Sequence, residues 1–394
     1  MENSNKKAAT MALVMGTLAM LVSFIAWSSL APLATQITQD LSLSVSQKTF
    51  MIATPVLLGS IMRIPMGYLS DRYGGKKMYI ILMIFVLIPL FFMPMALASK
   101  SFGMVIFLAF LLGMSGTSFA IAISYITVWY PPEKQGLVLG IAGVGNIGNA
   151  MAALSLPKIS EAKGMSAVYY FIMALLVIMI ILFFFLCKEM PVNKNKTLGQ
   201  AFVVAKEKNT WLLSLFYFLT FGLFVSLSNL LPALLADQFG TTPVNAGLWA
   251  AAFAALATAI RPIGGAISDK VDPMKLLELL FVGVTIIGVL MALSLSSFGL
   301  FMTTILIIAV LAGLGNGAVF KMVPSVSKGN TGTVTGFVGA IGGLGGYFPP
   351  LIMGIIKQNT GSYQLGFYFL AAVGLICAVV LYSAFIKGGK AHAL

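Results

Sequence analysis

The stretch IMRIPMGYLSDRYGGKK, residues 61–77, sets one arginine inside an apolar run and then ends that run in a charged turn. The chain holds a second copy, AIRPIGGAISDKVDPMK at 259–275. Arg63, Gly67, Ser70, Asp71 and Arg72 align with Arg261, Gly265, Ser268, Asp269 and Lys270 at a constant offset of 198 residues, half the chain. On a helix rising about 1.5 Å per residue, each arginine lies roughly 12 Å from its turn aspartate. In a membrane that is close to the midplane, where a charge costs from a few to more than ten kcal/mol and marks a functional position by default. Two such cations at equivalent positions of a duplicated chain point to a cationic site between the halves.

The composition supplies the membrane. Of 394 residues, 59% are hydrophobic and 9% charged, against about a quarter charged in soluble domains. Twelve apolar runs are long enough to span a core of about 30 Å: 11–33, 48–70, 78–98, 102–127, 137–157, 166–187, 210–236, 246–268, 276–297, 300–324, 333–356 and 364–386. The expected architecture is an all-α integral membrane protein of twelve transmembrane helices in two pseudo-symmetric six-helix bundles. The bundles would occupy 1–187 and 210–394, joined by a polar central loop at 188–209. Within that loop, LGQAFVVAKEK has the character of a short amphipathic surface helix.

The net charge of +13 could indicate nucleic acid, but its distribution points elsewhere. With the N-terminus placed inside, sixteen Lys and Arg fall on the cytoplasmic side and five outside (Lys48, Lys100, Lys158, Lys163, Lys357), while Arg63, Arg261 and Lys321 fall within spans. This is the positive-inside pattern, so both termini are expected in the cytoplasm, the cytoplasmic membrane is the expected location, and nucleic acid is not an expected partner. Lys6 and Lys7 precede a run too long for a signal peptide, which reads as an uncleaved first span. Cys187 and Cys377 have no metal-ligand or disulfide spacing. No metal or cofactor is expected, and no nucleophile–base pair or buried acid pair marks an enzyme.

Further polar and aromatic positions interrupt the spans. Phe24 and Trp27 share one helical face in the first span, as do Tyr217 and Phe221 in WLLSLFYFLTFG of the seventh. Such pairs are more often packing than site, but the hydroxyl of Tyr217 deep in a span needs a partner. In the fourth span, Gly116-x-x-Phe119 repeats in the tenth as Gly317-x-x-Phe320. The fifth span reads GIAGVGNIGNA, with a literal G-x-G-x-x-G at Gly143, Gly145 and Gly148. A dinucleotide fingerprint needs a preceding strand and an open helix N-terminus, so this one is rejected. Its eleventh-span counterpart GAIGGLGGYFPP carries Gly342, Gly343, Gly345 and Gly346. Close helix packing or gating explains the glycines, although such density also exposes backbone groups to a ligand. It does not explain Asn146 and Asn149, which need partners in hydrocarbon. For Lys321, snorkelling to the surface and contact with a substrate are equally open. All eleven acidic residues lie in loops or near span ends, so no buried carboxylate is expected to neutralise the arginines.

Across its whole length the chain resembles the major facilitator superfamily. More closely, the paired arginines, GIAGVGNIGNA, GAIGGLGGYFPP, WLLSLFYFLTFG and RPIGGAISD resemble the nitrate/nitrite porter family, and GNGAVFKMVP resembles its assimilatory members. The resemblance implies the major facilitator fold and a monomer surrounded by membrane lipid. It also implies that Arg63 and Arg261 clamp an anion, that Tyr217 and Asn146 donate hydrogen bonds, and that Phe119, Phe221 and, more weakly, Phe24 form walls. The DR and DK turns (Asp71, Arg72, Asp269, Lys270) would be structural or gating. Independently, a forked, permanently charged guanidinium suits a planar oxyanion, and aromatic walls suit a small, weakly hydrated monovalent one. The expected function is nitrate and nitrite transport, by exchange. Proton-coupled nitrate symport and transport of another small anion such as formate stay open, and a non-transporting anion sensor is the alternative from another class.

Overall fold

The computed structural model describes residues 2–131, 138–189, 192, 199, 203–326 and 331–386. The expected turn charges Glu133 and Lys134, most of the central loop including Lys194 and Lys196, and Lys328, Lys387, Lys390 and His392 lie outside them. Of the expected surface helix, the described residues Gly199 and Val203 are helical, Val204–Lys206 form a 3-10 turn, and the next helix starts at Lys208.

Among the described residues the elements are helices. Eleven helices and one bent pair are long and apolar enough to cross a membrane: Lys6–Trp27, Val45–Ile61 with Arg63–Tyr73, Gly75–Ala98, Phe102–Thr127, Val138–Lys163, Met165–Leu186, Lys208–Phe239, Pro243–Ser268, Pro273–Leu293, Phe298–Val323, Val334–Thr360 and Gln364–Ala384. These are spans one to twelve below. The first span begins and the twelfth ends on one face, here the terminal face; the opposite one is the distal face. Outward-facing Phe, Leu and Ile, such as Phe185 and Leu279, cover the perimeter, as lipid requires.

Three differences from the expected boundaries have local causes. The first span stops at Trp27 rather than residue 33, because the hydroxyls of Ser28 and Ser29 bond back to the carbonyls of Phe24 and Ala26 at 2.8 Å and Pro32 follows. The fifth continues past Pro157 to Lys163 and is ended by Gly164, whose φ of 83° side-chain-bearing residues rarely adopt. The second is not one helix over 48–70. It breaks at Met62 with a 42° bend. Pro65 has no N–H for the Ile61 carbonyl and its ring crowds that group, so the break falls one residue before Arg63. In the eighth span Pro262 is absorbed without a break, and the helix is continuous from Pro243 to Ser268.

Close backbone contact fixes the arginines in place. The eighth and tenth spans meet so tightly that a methyl group on Gly317 would strike the carbonyl of Arg261, and one on Gly313 that of Ala257. Only glycine permits this approach, and it brings Phe320, one turn on, beside Arg261.

Candidate functional site

Arg63 is completely buried. Its Nη1 donates to the Gly339 carbonyl of the eleventh span at 2.6 Å and its Nε to the Gly116 carbonyl of the fourth at 3.4 Å, while Nη2 has no partner. The guanidinium carbon lies 5.1 Å from the ring centres of both Phe119 and Phe221 and 5.8 Å from that of Trp27. Arg261 is half-buried and donates from Nη2 to the Tyr217 hydroxyl at 3.4 Å. Its guanidinium carbon is 5.1 Å from the Phe320 ring and 6.0 Å from those of Phe119 and Tyr217.

Phe119 therefore has both arginines over its ring, and the aromatic groups close around them. Tyr217 stacks on Phe221 at 4.8 Å and meets Phe320 edge-on at 4.7 Å; Phe119 stacks on Phe221 at 6.4 Å. The Gly-x-x-Phe repeat explains the symmetry: in each half it seats its phenylalanine on that half's arginine. The glycine-rich helices work crosswise. Gly143 of the fifth span lies against Arg261, with a methyl there 3.7 Å from Nε, and Gly343 of the eleventh lies against Arg63, with a methyl there 3.3 Å from Nη1.

Cation–π contacts contribute about 0.5–2 kcal/mol each. Burying a guanidinium costs several kcal/mol even after relaxation, so aromatic faces and two carbonyl bonds leave the site short of negative charge. The free Nη2 of Arg63 marks where that charge is missing. A cavity runs from Arg63 and Phe119 past Tyr68 and Asp71 to Thr127 and Phe337, toward the terminal face.

Five of the expected binding residues thus form one cluster: Arg63, Arg261, Tyr217, Phe119 and Phe221. Asn146 closes a 3-10 turn, Gly143–Asn146, and donates Nδ2 to the Gly143 carbonyl at 2.6 Å, leaving Oδ1 buried without a partner. To serve an anion its amide has to leave that carbonyl. Both side-chain atoms of Asn149 and Oδ1 of Asn316 are likewise buried without partners. Phe24 packs its ring edge-on against Trp27 at 4.8 Å and its Cβ against Gly148. Lys321 forms an ion pair with Asp269 at the surface, both about half exposed. Gly145 packs on Met20, Gly342 on the Tyr217 ring and Gly345 on the seventh-span backbone.

In the first charged turn, Ser124 donates to Asp71, Arg72 donates to Tyr68, and the Glu189 carboxylate accepts from the backbone N–H groups of Lys76 and Lys77 at 3.2 and 3.0 Å. Lys270 is exposed in the second.

Sequence reasoning left Phe320 and Trp27 out of the cluster, although the repeat with Phe119 and the shared face with Phe24 had singled both out. It also placed Lys48 in an outer loop. Lys48 lies within the second span, 4% exposed, and holds both carboxylate oxygens of Asp237 in the seventh span, at 2.6 and 2.5 Å. Tyr363, at the N-cap of the twelfth, adds its hydroxyl to Asp237 at 3.0 Å.

Comparison with known proteins agrees with this architecture. The sequence profile of the Major Facilitator Superfamily matches residues 16–346 and 213–391. The nitrite extrusion protein of Bacillus subtilis strain 168 is 38% identical over 367 residues, 93% of this chain and 92% of that protein. The probable nitrate transporter NarT of Staphylococcus epidermidis is 38% identical over 379 residues, covering 96% of this chain and 97% of its own. A bacterial homologue of the human lysosomal transporter Spinster, solved in an inward-facing and occupied conformation, has the same fold: TM-score 0.74 at 19% identity, over 96% of this chain and 98% of that one. The chain belongs to the major facilitator superfamily and, through relatives similar over nearly their full length, to its nitrate/nitrite porter family. It is a multi-pass membrane protein.

Proposed function

We propose that the protein carries nitrate and nitrite across the cytoplasmic membrane by alternating access, exchanging one for the other. Residues 1–187 and 210–394 rock as two bodies about the 188–209 linker in a single monomer, with the terminal face in the cytoplasm, a placement the lysine and arginine distribution supports. The observation that carries the reading is the pair Arg63 and Arg261, one from each half, meeting over Phe119, with one arginine nitrogen still unbonded. A planar monoanion supplies the missing charge, and Tyr217 and Asn146 orient it.

Energetics favour exchange. Drawing one anion inward against an inside-negative potential costs about 2.3 kcal/mol per 100 mV, whereas nitrate-for-nitrite exchange is electroneutral. An empty site holding two uncompensated cations also reorients poorly, because no anion offsets their burial.

Reconstituted vesicles loaded with nitrite test this. Rapid nitrate uptake is expected only with internal nitrite, and in Arg63→Lys it should drop by about 10- to 100-fold, since an ammonium cannot bond the Gly339 and Gly116 carbonyls and fork onto an anion at once. Uptake into vesicles without internal anion that vanishes with the proton gradient would replace exchange by symport.

A further inference from the structure

One turn before Arg63, the hydroxyl of Ser60 is completely buried and has no hydrogen-bond partner. Buried hydroxyls in apolar helices ordinarily bond back to the carbonyl four residues earlier. Here Thr54, Ser214 and Thr258 do so at 2.7 Å and Ser268 at 2.8 Å, whereas Ser60, like Ser70, Ser118 and Thr220, does not. Thr258 is informative because it stands three residues before Arg261, as Ser60 stands before Arg63. The duplication thus places a hydroxyl at the same position in both halves, and only Thr258 bonds to its own helix.

What Ser60 faces is shared with the arginine. A methyl group on Gly343 would strike Ser60 Oγ and lie 3.3 Å from Arg63 Nη1, so hydroxyl and guanidinium both pack against the same glycine. The Arg63 nitrogen without a partner, Nη2, belongs to the same guanidinium. Ser60 is on the distal side of Arg63, at the end of the site away from the cavity that reaches the terminal face.

We propose that Ser60 is a further anion-binding residue that donates its hydroxyl to an oxygen of nitrate that nitrite lacks; this rests on the nitrate/nitrite reading of the site. An anion arriving from the terminal side presents two oxygens to the arginines, and the third oxygen of a trigonal anion points onward to Ser60. A two-oxygen anion leaves that hydroxyl as it is in the empty site. Ser60 thereby sets preference between the two substrates of an exchanger.

The test is the half-saturating concentration of nitrate and of nitrite for exchange in proteoliposomes of the full chain, for wild type, Ser60→Ala and the mirror-position control Thr258→Val. Loss of a hydrogen bond to a charged group predicts about a tenfold rise for nitrate in Ser60→Ala. The rise for nitrite should stay below about threefold, and Thr258→Val should alter neither preference. The melting temperature of Ser60→Ala without anion should be unchanged or higher, because an unpaired polar atom is removed from the interior. Should that variant not be recoverable, Ser60→Cys keeps the volume and a weak donor and should have an intermediate nitrate value. An unchanged nitrate-to-nitrite ratio, an equal loss for both anions, or a lower anion-free melting temperature overturns the proposal. Wild-type vesicles that move neither anion would instead overturn the functional reading beneath it.

Discussion

The two faces of the molecule are tied in different ways. On the distal face the bonds cross between the halves: Lys48 of the second span holds Asp237 of the seventh, Tyr363 at the N-cap of the twelfth supports it, and the Ser46 backbone N–H donates to Gln358 at 3.1 Å. On the terminal face, among the described residues, Ser124–Asp71 and Lys321–Asp269 each tie a half to itself, and a cavity lies between the first of these ties and Arg63. Cross-half bonds close a face, whereas within-half bonds stiffen each body while the path stays open. A carrier must also be able to undo its closed side. One nearly buried ion pair suits that, because the cost of desolvating the charges offsets much of their attraction.

The largest expected effect follows from removing the distal tie. Lys48→Ala leaves Asp237 against Tyr363 alone and should weaken the seam by about 1–3 kcal/mol, discounted for the partial exposure of Asp237. That shifts the balance of the two faces by roughly 5- to 150-fold. A Thr49→Cys label site reads it out, since Thr49 is 1% exposed and both native cysteines are buried. Labelling by a membrane-impermeant maleimide should rise in Lys48→Ala and return to the parent rate when Lys48→Asp is combined with Asp237→Lys. Equal labelling in all three would mean that the ion pair does not hold the face shut.

A second way to open the same seam uses volume instead of charge. Gly354 of the eleventh span lies so close to Thr49 that an added methyl would collide with its side chain. Overpacking costs about 1–3 kcal/mol, and alanine returns up to about 1 kcal/mol of helix propensity. Gly354→Ala should therefore weaken the seam less than Lys48→Ala does, and any loss of exchange should be rescued by Thr49→Ala. A loss of exchange that Thr49→Ala leaves untouched would locate the damage away from the seam.

What could be read from sequence follows the same division. The cluster of Arg63, Arg261, Tyr217, Phe119 and Phe221 was legible because each sits in a duplicated motif, is a polar group costly to bury or, as Phe221, shares a helical face with one. Their energetic strain is local, and so is its signal. The Lys48–Asp237 tie was not legible, as its partners lie 189 residues apart in different halves and resemble ordinary span-end charges. Their meeting depends on how two helical bodies lean, which no local pattern encodes. Phe24 is a related case: a shared face with Trp27 says that two rings meet, but not that Trp27 is the one 5.8 Å from the Arg63 guanidinium. The break at Met62 was within reach, since Pro65 announces a missing hydrogen bond.

The smallest expected effect separates surface from site on the terminal face. Lys321 neighbours Phe320, whose ring faces Arg261, and by sequence it could equally reach a substrate. Its ammonium instead pairs with Asp269 inside one half, with both side chains about half exposed. An exposed pair of that kind contributes about 0–1 kcal/mol. It ties no half to the other, so Lys321→Ala should leave distal labelling unchanged and move the half-saturating nitrate concentration by less than about threefold. A loss of tenfold or more would require Lys321 to leave Asp269 and enter the anion's path during the cycle, and the terminal tie would then belong to the gate rather than to the rigid body.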